Sequence, residues 1–299
     1  MPKSQTMKQR PFLQLDVFTA RPYYGNALAV ILEAEDLDTA AMQHLANWTN
    51  LSETIFLLPP TVAQADYRVR IFTPRSELPF AGHPSVGAAW AAIAGGKVAA
   101  GKRELVQECA AGLLPVRVEG EGDTRMIHVR APKPQLQAPA PELLDAVTQA
   151  LGARPLAAPR NIRSGPWWLV CDLGEAAAVR GLRPDLDRIT AVSQSLGAIG
   201  ISVFGREAAV GAPHGARYAV RAFCPGAGIA EDPVTGSAQA CIGGYLHATE
   251  SAAAGGTRYR ASQGRELGRD GIVEVSVDAA GEVSIGGQCV RCVEGTILA

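Results

Sequence analysis

RIFTPRSELPFAGHPSVGAAWAAIAGG (70–96) runs from an alternating strand through a turn into a helix that carries no Lys, Arg, Asp or Glu. The same layout returns as RAFCPGAGIAEDPVTGSAQACIGGYLHAT (221–249). A helix that is apolar or small on every side belongs inside a fold, because it has no face to offer water. Gly87, Ala88, Ala91 and Ala92 in the first copy, and Gly236, Ala238, Ala240 and Gly243 in the second, let a sheet close tightly around such a helix. The two stretches form a weak internal repeat, visible in layout more than in residue identity. They predict an α+β chain of two pseudo-symmetric domains, each a curled mixed β-sheet around one central helix.

The chain has 299 residues, which suits two domains of about 150 residues better than one core. Hydrophobic residues make up 47%, enough to fill both interiors. KPQLQAPAPELL (133–144) is proline-rich and polar and reads as a linker or exposed loop. The expected division is an N-terminal domain at 10–130 and a C-terminal domain at 131–299, whose last strand can return to the first domain. Around the repeat, FLQLDVF (12–18), ALAVIL (27–32) and LSETIFLL (51–58) read as strands. Residues 36–50 read as a helix capped by Asp36 or Asp38, with Leu37, Ala41, Leu45 and Trp48 along its apolar face.

The formal net charge is −1, from 28 basic and 29 acidic residues, so there is no field to steer nucleic acid. A small-molecule partner is the expectation, with no nucleic acid and no membrane. The first ten residues, MPKSQTMKQR, lead into no apolar signal core, and no stretch is apolar and long enough to span a bilayer. The chain reads as cytoplasmic. Six scattered cysteines do not make a disulfide framework. Cys289 and Cys292 form C-V-R-C inside a strand-like segment, which turns them to opposite faces, and no second ligand pair exists for zinc. No metal site is expected.

Two helix entrances carry the polar chemistry. In AGHPSVG, Pro84 suits the first helical position, where its missing N–H costs nothing. In EDPVTGSA (231–238), Pro233, Thr235, Gly236 and Ser237 offer the same feature. Free N–H groups at such entrances favour an anion, so two entrances facing each other would hold a carboxylate or an enolate. The competing reading of Asp232 is an ordinary helix cap. Glu231 stands beside it with no Lys or Arg between Arg221 and Arg258, and reads as a solvent-facing or hinge residue.

Glu53 alternates with Leu51, Ile55 and Leu57 on one strand face, which points it inward. Burial raises a carboxyl pKa towards the range where it both takes and returns a proton. The other reading is a strand-end glutamate at a surface, or one paired with an arginine such as Arg70. His83 can donate a hydrogen bond or move a proton. Ser85 and Ser237 with His83 and Asp232 invite a hydrolase reading, but no G-x-S-x-G elbow occurs.

NLSETIF (50–56), RIFTPRSELPFAGHPSVGAA (70–89), GIAEDPVTGSA (228–238) and SQGRELGR (262–269), in this order, resemble the phenazine-biosynthesis PhzF-like family, which shares the diaminopimelate epimerase-like fold. The resemblance runs from about Phe12 to the end. It implies two domains with the active site between them, a homodimer, and no metal or organic cofactor. It implies Glu53, His83 and Asp232 as the catalytic set, with Ser52, Gly82, Thr235, Gly236 and Ser237 around the substrate. Cysteine-based racemisation is not implied, since neither Cys224 nor Cys241 stands at a helix entrance. GNAL (25–28) has alanine where the family usually has proline, and Ser85 and Val86 replace the usual Thr and Leu.

The function these expectations add up to is a cofactor-independent isomerase. One glutamate, Glu53, removes a proton from a small carboxylate-bearing substrate and returns it at another carbon. An epimerase or dehydratase of amino or hydroxy acids, and a carboxylate-binding protein without turnover, are the alternatives.

Overall fold

The computed structural model describes residues 7–208, 210–249 and 256–299. They fall into two compact units. The first holds the described residues up to Tyr23, Ala27–Ile127 and Gln288–Ala299, and the second holds Tyr24–Asn26 and His128–Gly287. In chain order the first stretch gives β1 (Gln9–Val17), β2 (Asn26–Ile31), α1 (Thr39–Thr49), β3 (Glu53–Leu58), β4 (Tyr67–Phe72), β5 (Glu77–Leu78), α2 (Gly82–Ala94), β6 (Glu104–Cys109), β7 (Gly112–Glu119) and β8 (Met126–Arg130). The second gives β9 (Gln135–Pro139), α3 (Leu144–Leu151), β10 (Arg160–Arg163), β11 (Trp167–Glu175), α4 (Ala176–Gly181), α5 (Leu186–Ser195), β12 (Gly200–Arg206), β13 (Tyr218–Cys224), β14 (Ile229–Asp232), α6 (Gly236–Thr249), β15 (Thr257–Gln263), β16 (Gly271–Val277) and β17 (Val283–Gly287). The chain ends in β18 (Cys289–Leu298).

In the first unit β18 pairs antiparallel with β1, from Gln9 opposite Leu298 to Val17 opposite Cys289. β1 neighbours β2, β2 runs parallel to β3, β3 antiparallel to β4, β4 parallel to β6, and β6 antiparallel to β7. This mixed sheet wraps α2, which touches β1, β3, β4, β6 and β18. Every α2 residue from Gly82 to Ile93 is buried, as an uncharged helix requires. A β-carbon on Gly87 would collide with the Leu28 side chain, so the sheet closes onto bare helix backbone there.

The outer face of that sheet is covered by α1. Asp38, not Asp36, caps it by accepting the Ala41 N–H at 2.8 Å. Its apolar face is Met42 and Ala46, packed against Ile31, Phe56 and Phe72. Leu37, Ala41 and Leu45 join this cluster as the sequence predicts, and Trp48 is the exception at 73% exposed. Phe56 and Leu58 of β3 belong to this outer cluster. By strand alternation Glu53, Ile55 and Leu57 then face α2.

The second unit repeats the plan. β9, β10 and β11 pair antiparallel in turn, β11 runs parallel to β12, β12 antiparallel to β13, β13 parallel to β15, and β15, β16 and β17 antiparallel. α6 touches β9, β10, β11, β16 and β17. A β-carbon on Gly243 would lie 3.2 Å from both Val275 and Val283, so these strands also press on helix backbone. On the other face, Val147 and Leu151 of α3, Val179 of α4 and Ile189 of α5 pack on Leu169, Cys171, Ile201 and Val203.

Some local expectations change. The 133–144 stretch is no mere linker: β9 is an exposed edge strand paired with β10, and a proline at its end suits an edge. Pro84 is the third residue of α2, where its N–H would equally lack a partner within the helix. α6 begins at Gly236, so Pro233 and Asp232 precede it and Asp232 is not its cap. Cys289 is buried and Cys292 half-buried in β18, and neither is in a disulfide. Among the described residues no cluster of His, Cys, Asp and Glu could hold a metal ion, and no helix is long and apolar enough to cross a membrane.

Candidate active site

The first unit supplies Glu53 and His83. Glu53 opens β3, directly after the half-buried Ser52. His83 is the second residue of α2, next to the buried Gly82. The inward face of β3 carries the carboxylate to the helix entrance, where Glu53 Oε2 stands 3.5 Å from His83 Nε2. Glu53 keeps 15% of its side chain exposed and His83 only 4%. Burial pushes the imidazole down to about 3. His83 is therefore neutral near pH 7, with one N–H to donate and one nitrogen to accept. Arg70, the alternative partner for Glu53, is bound instead by Glu77 through two hydrogen bonds of 2.7 Å.

Ala81 precedes α2 and gives no side-chain cap. Ser85 does not take the part of a nucleophile. It lies inside the helix, its Oγ donates to Ala81 O at 2.9 Å, and it accepts from Gln107 Nε2 at 3.0 Å.

The second unit supplies Asp232, Thr235, Gly236 and Ser237. Asp232 ends β14 and is 9% exposed. Its Oδ1 accepts from Asn26 Nδ2 at 2.9 Å and its Oδ2 accepts from Thr235 Oγ1 at 2.6 Å. Burial pushes its carboxyl up to about 6; the bonds from Thr235 and Asn26 oppose that rise, and the Glu231 charge adds to it. Gly236 and Thr235 are buried and Ser237 half-buried. Ser237 Oγ accepts the indole N–H of Trp168 at 3.0 Å, which leaves its own proton to donate elsewhere.

Glu231 is neither solvent-facing nor unpartnered. Its carboxylate takes Arg221 Nε at 2.9 Å and Nη2 at 2.7 Å, and the two side chains are 8% and 6% exposed. Arg221 lies on β13, beside Ala222, which pairs with Asp232 across the ladder. The neighbouring acids thus diverge: alternation along β14 sends Glu231 to an arginine and Asp232 to neutral donors.

Sequence reasoning missed Asn26, Arg221, Gln239 and Gln263. Signals existed for three. Asn26 sits in GNAL, Gln263 in SQGRELGR, and Gln239 is the one long polar side chain among small residues early in α6. What none of these signals carried was the partner.

The sequence pattern of the PhzC-PhzF family, described as phenazine biosynthesis-like protein, matches residues 15–295. The chain belongs to the PhzF-like family. Among PhzF-like relatives it is 35% identical over 299 residues to antisense-enhancing sequence 1 of Schizosaccharomyces pombe, covering 97% of this chain and 99% of that one. It is 32% identical to the trans-2,3-dihydro-3-hydroxyanthranilate isomerase of Pseudomonas aeruginosa, covering 95% and 98%. A crystal structure of a PhzF-family protein from Bacillus anthracis superposes with a TM-score of 0.84 at 27% identity, over 98% of this chain and 100% of that one. The PhzF-like chain is accordingly an enzyme of the isomerase and epimerase class with an α+β, diaminopimelate epimerase-like fold.

Proposed function

We propose that this protein catalyses a cofactor-independent isomerisation of a small carboxylate-bearing substrate, with Glu53 as the group that takes and returns the proton. The observation that carries the reading is Glu53 itself: a carboxylate on the inward face of β3, mostly buried, 3.5 Å from a histidine that burial keeps neutral. A surface-binding role gives no reason to bury an acid. A neutral imidazole beside it places no full positive charge next to the carboxylate.

In the proposed step the Glu53 carboxylate accepts a proton from carbon. The C–H electron pair moves into a conjugated π-system and the negative charge settles on a substrate oxygen. Donors aimed at that oxygen lower the barrier, and an uncapped helix entrance such as that of α2 supplies the field for it. The acidic proton on Glu53 exchanges with solvent, Glu53 then gives a proton to a second carbon, the electron pair returns, and no electrons are gained or lost overall. Asp232 is assigned a second proton-handling role, suited by a carboxyl held at about 6.

The test uses trans-2,3-dihydro-3-hydroxyanthranilate, the substrate named for the Pseudomonas aeruginosa relative, and a panel of small unsaturated and cyclic carboxylates in heavy water. Proton NMR should show deuterium entering a recovered substrate or product with the wild type. Glu53→Gln should still bind the ligand but lower exchange by about 10²–10⁴-fold. Full exchange in that variant would remove Glu53 from the role. Binding without exchange by the wild type would favour a carboxylate-binding protein, and inversion at a single carbon would favour an epimerase.

A further inference from the structure

Thr235, Gln263, Gln239 and Asn26 surround Asp232 in hydrogen bonds whose directions follow from the atoms involved. Gln263 Oε1 faces the Thr235 backbone N–H at 3.0 Å, a group that only donates. Gln263 Nε2 faces the Asp232 carbonyl oxygen at 3.0 Å, a group that only accepts. The Gln263 amide therefore has one permitted orientation. Gln239 Nε2, 3.1 Å from Gln263 Oε1, donates in the same sense. Gln263 itself is 1% exposed. The turn behind it is equally constrained: Gly264 has φ +95°, and a β-carbon there would strike the Pro233 carbonyl.

The consequence reaches the carboxyl through Thr235. Gln263 Nε2 also donates to Thr235 Oγ1 at 2.9 Å, which occupies that hydroxyl as an acceptor. Its single proton then goes to Asp232 Oδ2, 2.6 Å away. On the other oxygen, Asn26 Nδ2 is oriented by the Val234 carbonyl at 3.0 Å and spends its second proton on Asp232 Oδ1. We propose that Gln263 is a positioning residue that sets the direction of the Thr235 bond, so that Asp232 Oδ2 accepts from Thr235 as Oδ1 accepts from Asn26, and any proton Asp232 carries points away from the network. Gln263 does this without touching either carboxyl oxygen. The neighbouring charge on the same strand, Glu231, is ion-paired with Arg221 and makes no hydrogen bond to Gln263 or Thr235.

This inference rests on the reading of Asp232 as a proton-handling group, but its test needs no substrate. The aspartate carboxyl carbons are labelled with carbon-13, and the Asp232 resonance, identified by its loss in Asp232→Asn, is titrated by NMR. The wild-type midpoint is expected near 6. Thr235→Val, which removes the hydroxyl donor, should raise it by about 1 pH unit. Gln263→Met should raise it by a similar amount, because the freed Thr235 hydroxyl no longer has to point at Asp232. The double variant should match Thr235→Val alone, since Gln263 acts through Thr235. A wild-type midpoint in Gln263→Met, or two shifts that add, would overturn the proposal. If Gln263→Met does not fold, Gln263→Glu keeps the length and the acceptor for Thr235 N–H. In that background Thr235→Val should shift the midpoint no further, and a further rise counts against the proposal. Absence of isomerase activity leaves this result untouched, so the two readings fail separately.

Discussion

Arg221 and Glu231 form a buried, two-point ion pair, with Nε to Oε1 at 2.9 Å and Nη2 to Oε2 at 2.7 Å. Arg221 also donates through Nη1 to the Leu182 carbonyl at 3.0 Å, just past the end of α4. The arginine thereby anchors the strand that ends in Asp232 to the helical layer of its own unit. Taking away one member leaves a buried charge alone. Arg221→Met should lower folding stability by about 3–5 kcal/mol in urea titrations, whereas Arg221→Met combined with Glu231→Leu should recover most of that loss. Equal loss in single and double variants would show that the pair is not what holds β14.

His83 makes stability depend on pH with a definite sign. Its pKa falls from 6.5 to about 3 on folding, so between these values the unfolded chain binds the proton that the native state refuses. Native stability from this group is complete above pH 6.5 and declines as pH falls from there towards 3. Relative to His83→Asn, the wild type should lose about 1.4 kcal/mol for each pH unit below the unfolded value. Denaturant titrations of both proteins across this range measure the difference. Nitrogen-15 NMR of the ring should show a neutral imidazole throughout the range from about pH 5 to 8.

Ser85 separates an acid–base isomerase from a serine hydrolase. Its Oγ is committed to Ala81 O and Gln107 Nε2. Ser85→Ala should leave turnover within roughly twofold of wild type while costing about 1–3 kcal/mol of stability, because buried Gln107 loses an acceptor. Loss of activity with stability unchanged would reopen the nucleophile reading.

Gly264 links backbone geometry to the Asp232 network. With φ +95° and the Pro233 carbonyl in the place of a β-carbon, Gly264→Ala is strained on both counts. It should cost about 1–3 kcal/mol. It should also move the Asp232 carboxyl titration, since Gln263 is the adjacent residue. An unchanged carboxyl midpoint in a destabilised variant would show that the strain is absorbed elsewhere.

Much of the architecture could be read locally. Charge-free stretches at 82–94 and 236–249 demanded burial, and alternation in LSETIFLL (51–58) placed Glu53 inward with Ile55 and Leu57. Composition also excluded a basic groove. These conclusions need only the periods of helix and strand and the cost of burying charge. Trp48 shows the limit: it shares the helical spacing of Leu37, Ala41 and Leu45, which pack in the cluster under α1, yet it is exposed, and only the packing on the sheet decides where that face ends.

The partners of the polar groups depended on the tertiary fold. Arg221 and Glu231 are 10 residues apart, Gln263 and Thr235 28, and Asn26 and Asp232 206. No local period relates such positions. Strand pairing and the turn at Gly264 bring them within hydrogen-bond reach. The sequence by itself determined which segments are strands and which two helices must be enclosed, and it singled out Glu53, His83 and Asp232. Only the tertiary structure decided that Glu231 is a buried ion-pair member and that neutral donors reach both oxygens of Asp232. The physical reason is that a hydrogen bond requires an atom within about 3 Å in the right direction, and that depends on how the chain folds back on itself.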